Sequence, residues 1–221
     1  PSSRQHKQSA STVPGGLVID TSDREAVRLF YKVYAAAAVP MDWTGNYATG
    51  EAGSTSAAYQ AATIQRINWY RAMAGLPAGT TLSPATYVVK AQHTALMMSV
   101  NSQLSHFPPT SWKNYTQAGA DGAAHSNLTL GANGPEAIDA YMVDFGETNY
   151  FVGHRRFVLS PYISRFASGD APGAELRDGR VFGANALWVH DADFAAPRPK
   201  TRDDFVAWPA PGYMPYHAVF D

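Results

Sequence analysis

INWYRAMAGLP, residues 67–77, reads as the closing turns of a helix and the stop that follows them. Ile67, Tyr70 and Met73 fall near one face at helical spacing, Gly75 supplies the C-terminal stop, and Leu76-Pro77 carry the chain away. Extended backward through Ile64, the pattern predicts a helix over about 55–74. Three more helices are predicted outward from it. Ser22 with Glu25 three positions on matches a capping box; Val27, Phe30, Tyr31 and Tyr34 follow, giving a helix over about 22–38 that Pro40 ends. Ser83-Pro84 opens the next, an N-cap followed by a residue suited to the first helical position, and Val88, Ala91, Ala95 and Met98 carry it to about residue 102. Gly134-Pro135-Glu136 repeats that start ahead of Ile138, Tyr141, Met142 and Phe145.

Residues 41–55 read as a loop, and 103–133 as a long one, full of Pro, Gly, Ser and Asn; long ordered loops are more often functional than decorative. Strands are expected at 157–159, about 163–168 and 181–189, the last reading VFGANALWV. Helices early and short strands late indicate an α+β domain over 21–193. Residues 1–20 read as an extended arm. Residues 194–221, rich in proline, read as a tail that wraps the domain or leads onward to a further one.

With 45% hydrophobic and 16% charged residues in 221, the composition is globular and suits one domain. A net charge of -1 and no basic run longer than Arg155-Arg156 leave no electrostatic footprint for nucleic acid. The absence of cysteine removes disulfides, thiolate nucleophiles and cysteine-ligated zinc. The most hydrophobic short run, VYAAAAV at 33–39, ends at Pro40, so no transmembrane segment is expected. The opening PSSRQHKQSASTVPGG reads as neither signal peptide nor helix and lacks an initiator methionine, most simply a processed or trimmed start.

Four pieces in fixed order resemble the CAP superfamily: cysteine-rich secretory proteins, wasp-venom antigen 5, plant pathogenesis-related proteins and bacterial SCP-like domains. They are INWYRAMAGLP; AQHTALMMSVNSQLSH at 91–106; SNL at 126–128 with the AIDAYMVD helix at 137–144; and GHRRFV at 153–158. Together they cover about 56–190. The resemblance implies a three-layer α-β-α sandwich with a central antiparallel sheet, and a secreted, periplasmic or cell-surface protein. It also implies a cleft lined by two histidines and two acids. Carried over one at a time, the histidines fall on His106 and His154, and the helix acid falls on Asp144, one methylene shorter than the usual Glu. The remaining acid precedes Asn-Leu in the family pattern, and here Ser126 replaces it. Arg155-Arg156 also depart from the family's Tyr-Thr.

Two neutral imidazoles converging in a cleft form a partial site for zinc or another divalent metal, each supplying one lone pair. A catalytic zinc usually has three protein ligands, so His106 and His154 would need Asp144, an anion or waters to complete the shell. Taken alone, His106 reads equally as a helix-terminal histidine and His154 as part of a basic turn. Asp144 facing either histidine would make a general base with an orienting carboxylate, with Glu147 as the rival acid. Ser126 lacks the Gly-x-Ser-x-Gly surroundings of a nucleophile and reads as a satisfied loop hydroxyl; His125 is an outside candidate for the cleft, and His93, in mid-helix, reads as packed or exposed. Arg155-Arg156 could clamp an anion, form a surface pair, or place one arginine in a buried internal salt bridge. Asn114-Tyr-Thr and Asn127-Leu-Thr match the glycosylation sequon, and the tryptophans Trp69, Trp112, Trp188 and Trp208 read as core. The expected function is a binding or interaction module for an unidentified ligand, with weak divalent-metal affinity. The alternatives are a metal-assisted or histidine-based peptide or ester hydrolase, and a lipid or sterol binder.

Overall fold

A computed structural model describes residues 16–36, 38–176, 179–192 and 194–219, the side chain of Thr148 apart. The expected arm therefore lies, for residues 1–15, outside the described residues. Helix α1 (Arg24–Ala35) starts one residue later than the capping box predicts. Asp23 is the cap, its carboxylate accepting from the Glu25 and Ala26 amides, while Ser22 is engaged by Asp20. Helix α2 (Ala57–Met73), capped by Ser56, is buried on nearly every side: Ile67, Trp69 and Met73 are inaccessible. After strand β1 (Thr81–Leu82) comes α3 (Ala85–Asn101). Pro84 occupies its N-cap, and the Ser83 hydroxyl donates to Asp191 instead.

The stretch 103–133 is not loop throughout. It holds α4 (Gln117–Ala124) and β2 (Ser126–Leu130). Helix α4, QAGADGAA, shows no apolar period because it lies hard against α3; a Cβ on Gly122 would meet the Lys90 carbonyl oxygen at 2.6 Å. Close approach selected small residues and erased the pattern. Helix α5 (Gly134–Val143) is followed by a 3-10 turn at Glu147–Asn149 and by α6 (Gly153–Val158), which corrects the strand expected at 157–159. A short apolar run has no readable period, and Val158 and Leu159 are buried in helical rather than extended backbone.

Strand β3 (Arg165–Ala171) overlaps the segment expected at 163–168 and runs three residues past it; the strand expected at 181–189 contains the core strand β6 (Ala184–Trp188), and a pair not expected from sequence, β4 (Ala174–Leu176) and β5 (Gly179–Val181), precedes it and shares only Val181 with that segment. The main sheet has the order β1-β3-β6-β2. Strands β3, β6 and β2 are antiparallel as expected, and the two-residue β1 joins β3 in parallel. Leu128, Ala184 and Ala186 pack toward α3 and α4, while Leu187 faces the larger core that α2 and α5 share. The result is an α-β-α sandwich. Gly169 permits its tightest contact: a Cβ there would sit 2.1 Å from Ala91 main chain. The C-terminal segment packs Val206, Trp208, Met214 and Val219 onto the larger core, and the Arg202 amide donates to the Gly75 carbonyl (2.8 Å).

Two charges are buried within this frame. Arg71, 1% exposed, donates to the carbonyls of Pro77 (2.9 Å), Val158 (3.0 Å) and Ser160 (2.7 Å); burial pushes its pKa down to about 10, so it is still a cation at neutral pH. Arg71→Ala should cost about 3–5 kcal/mol, since it strands three carbonyls and opens a cavity, and urea denaturation measures it. Asp170 accepts from Gly134 N–H, Asn185 Nδ2 and Ser168 Oγ, and burial raises its pKa. Because the folded-state pKa lies above the unfolded one, the cost of the charge is fully present above the folded value and is relieved as the pH falls through it towards the unfolded value. Asp170→Asn removes that term. Its stability relative to wild type should therefore decline as the pH is lowered from 7 towards 4, read from denaturation midpoints.

Candidate functional site

The site forms at one edge of the sheet, where β2 is the last strand in the order, buried from Ser126 to Leu128 and half-buried at Thr129 and Leu130. Helix α5 ends at Asp144, whose left-handed backbone (φ 54) turns the chain back over the helix. Nine residues later, α6 begins. The turn before it is made by Val152 (φ 49) rather than by Gly153, an uncommon conformation for a β-branched residue. Gly153 is needed for room, because a Cβ there would come within 2.5 Å of the Phe151 ring.

These two turns bring His154 onto Asp144. The imidazole Nδ1 lies 2.7 Å from one carboxylate oxygen, and the other accepts the Arg155 amide (3.1 Å). The Asp144 side chain has no exposed surface and that of His154 keeps 25%. The His154 ring stacks on Tyr141 (5.5 Å between centroids), and its carbonyl accepts from Asn127 Nδ2 at 3.1 Å. On the other wall His106 follows α3, and its Nδ1 lies 2.8 Å from the carbonyl of Ala123 in α4. Carboxylates and carbonyls only accept. In the neutral rings each Nδ1 therefore carries the proton, and each Nε2 keeps a free lone pair.

His106, Asp144 and His154 line one cleft of about 710 Å³, walled also by Leu104, Leu128, Leu130, Val143, Phe145 and Tyr141. One aromatic lining residue, Phe145, is 89% exposed; Phe107, next to His106 in sequence, is 84% exposed and is not among the lining residues. Ser126, His125 and Glu147 are not among the lining residues. Ser126 is buried on β2, and its hydroxyl and the indole N–H of Trp188, directly across on β6, both lack partners among the described residues. His125 stacks on Trp188 and its Nδ1 contacts the Asp121 carbonyl; Glu147 is exposed on the 3-10 turn.

Arg155 is neither a clamp nor a surface pair: its guanidinium donates to the Met142 and Val143 carbonyls and caps the end of α5. Arg156 is exposed beside a separate groove with Tyr162 and Trp208. His93 is half-buried, and burial lowers its pKa. In both sequons the asparagine amide nitrogen is already bonded, Asn114 to Tyr47 O and Asn127 to His154 O. Sequence reasoning missed Tyr141 as a wall for His154, and missed Phe145 in the lining. The one local signal was a Phe directly after Asp144.

Residues 64–186, more than half of the chain, match the sequence model of the Cysteine-rich secretory protein family, CAP. The chain belongs to the CAP family. The matched segment contains His106, Asp144 and His154. No curated protein and no solved structure matches the chain. Among the described residues of this CAP domain no helix is long and apolar enough to cross a membrane.

Asp144→Ala should release His154 from its fixed tautomer. Imidazole ¹⁵N spectra would then show the Nδ1–H form give way to a mixture with Nε2–H, whereas an unchanged spectrum would mean the carboxylate does not set the ring's proton.

Proposed function

We propose that this CAP domain is an exported binding module that takes its ligand in the β2-edge cleft, with the His154–Asp144 pair as polar anchor and weak affinity for zinc or another divalent cation. The observation that carries the reading is the 2.7 Å contact between a carboxylate with no exposed surface and an imidazole left with a free Nε2 inside an apolar cleft. Such sites hold a ligand by apolar contact and orient it by a few convergent polar groups. The fit to a metal is partial. Histidine ligands commonly hand their second nitrogen to a carboxylate or carbonyl, as His154 and His106 do. Yet no group of three His, Cys, Asp or Glu side chains suited to a metal gathers among the described residues. Two imidazoles and solvent would make a weak site, in which the protein's part is to present two oriented nitrogens.

Hydrolysis of a peptide or ester is the second reading, favoured by the same contact. A neutral His154 whose imidazolium form Asp144 would stabilise could accept a proton from an attacking water. The cleft's Ser105 hydroxyl instead accepts the Phe107 amide. Zinc calorimetry on wild type, His106→Ala and His154→Ala, run beside a peptide and ester panel, separates the readings. Each substitution should weaken zinc binding about tenfold or more. Identical traces would end the metal proposal. Turnover that falls about 10²-fold or more in a folded His154→Ala variant would make the domain an enzyme, and no turnover across the panel leaves it a binder.

A further inference from the structure

The floor of the cleft is a strand edge, and its backbone register says what it can bind. The His125 carbonyl accepts from Val189 N–H (3.1 Å) and Gly131 N–H donates to the Gly183 carbonyl (2.7 Å). In an antiparallel ladder the bonded pairs alternate, so odd-numbered residues of β2 turn their amides to β6. Leu128 and Leu130 turn theirs the other way, and both residues line the cleft. The N–H and C=O of Leu128 and the N–H of Leu130 have no hydrogen-bond partner among the described residues.

We infer that β2 is a docking strand: an extended peptide, apolar on both faces, adds to its free edge at 128–130 and passes between His106 and His154. This rests on the reading of the cleft as the binding site and names the class of ligand. Outward amide groups two residues apart recur at about 6.8 Å, a spacing that another extended backbone reproduces. A lipid or sterol would cover the apolar lining and leave these groups bare. Alternate side chains of the added strand point to opposite sides, within a cleft whose lining includes His106, His154, Tyr141 and the exposed Phe145. The edge also lacks the usual guards against pairing: SNLTL contains no proline, lysine or other charge.

The probe is a positional-scanning library of acetylated, amidated hexapeptides built from Val, Ile, Leu, Phe, Thr and Ala with a terminal Lys for solubility. Binding is read from the ¹⁵N–¹H shifts of Leu128 and Leu130 in the full chain. The tightest peptide is then N-methylated one position at a time. Strand addition predicts a period of two, with about tenfold loss at alternate positions and little change between them. Leu130→Pro deletes one outward N–H at an edge position where proline is tolerated, and should weaken the same peptide about tenfold. The N-methyl scan uses wild-type protein and decides the matter even if that variant does not fold. A flat scan, binding that leaves both amides unshifted, or a library in which nothing shifts them at millimolar concentration would overturn strand addition. The zinc and turnover measurements report on His106 and His154 without a hexapeptide, so the cleft reading stands or falls separately.

Discussion

A guanidinium in a protein interior must find acceptors for its N–H groups, and Arg71 finds three main-chain carbonyls on two separate segments. One is Pro77, just after the turn that ends α2; the others are Val158 and Ser160, at the end of α6. Asn68, one turn earlier on the same helix, clamps Thr80 through three further bonds of 2.8–3.0 Å. The spacing of Asn68 and Arg71, one turn apart, thus places two buried polar side chains on one face of α2. Between them they fix the loop that leads into β1 and the helix that carries His154. A lysine could not replace Arg71, because a single ammonium cannot reach separate carbonyls in the directions a planar fork does.

A chain of this family without a single cysteine must fasten its periphery by other means. Aromatic contacts converge on α2 from both ends of the sequence. Trp69 meets Phe30 and Tyr34 of α1 at 6.0 and 4.5 Å, and Tyr70 meets Trp208 of the C-terminal segment edge-on at 5.2 Å. Each such pair contributes about 0.5–1.5 kcal/mol beyond the area it buries. The short ion pair between Arg66 and Asp139, with Tyr70 donating to the same carboxylate, ties α2 to α5 at the same place.

What the sequence made legible follows from how large the side chains are. Helices α2, α3 and α5 announced themselves by big apolar residues at helical spacing and by Ser-Pro or Gly-Pro starts. Helix α4 did not, because packing against Lys90 and Thr94 admits only Gly and Ala. The run at 157–159 misled because three apolar residues carry no period, and the group that takes up the Val158 carbonyl at the end of α6 is Arg71, 87 residues away. The candidate site divides likewise. His106, Asp144 and His154 could be located only as an ordered set: Asp144 and His154 alone are ordinary helix-end residues, and His106, expected to end its helix, lies five residues beyond the last residue of α3. The carbonyl of Ala123, the ring of Tyr141 and the edge position of β2 leave no trace in any local pattern. They are products of the sheet's strand order, which no window of sequence contains.

The strain around the acid–imidazole pair bears on how firmly it is held. Asp144 and Val152 both sit at positive φ without being glycine, and together they bound the segment that returns the chain from α5 to His154. Aspartate tolerates that region better than valine, whose branched Cβ crowds the main chain there, at a cost of order 1–3 kcal/mol. Such conformations persist only where the surroundings over-determine them. Arg155 does so twice, with its guanidinium on the Met142 and Val143 carbonyls and its amide on Asp144. The departure from the family block at Arg155 is therefore explained by backbone geometry and requires no ligand: the arginine closes α5, holds the carboxylate from behind and leaves the other oxygen of Asp144 to His154.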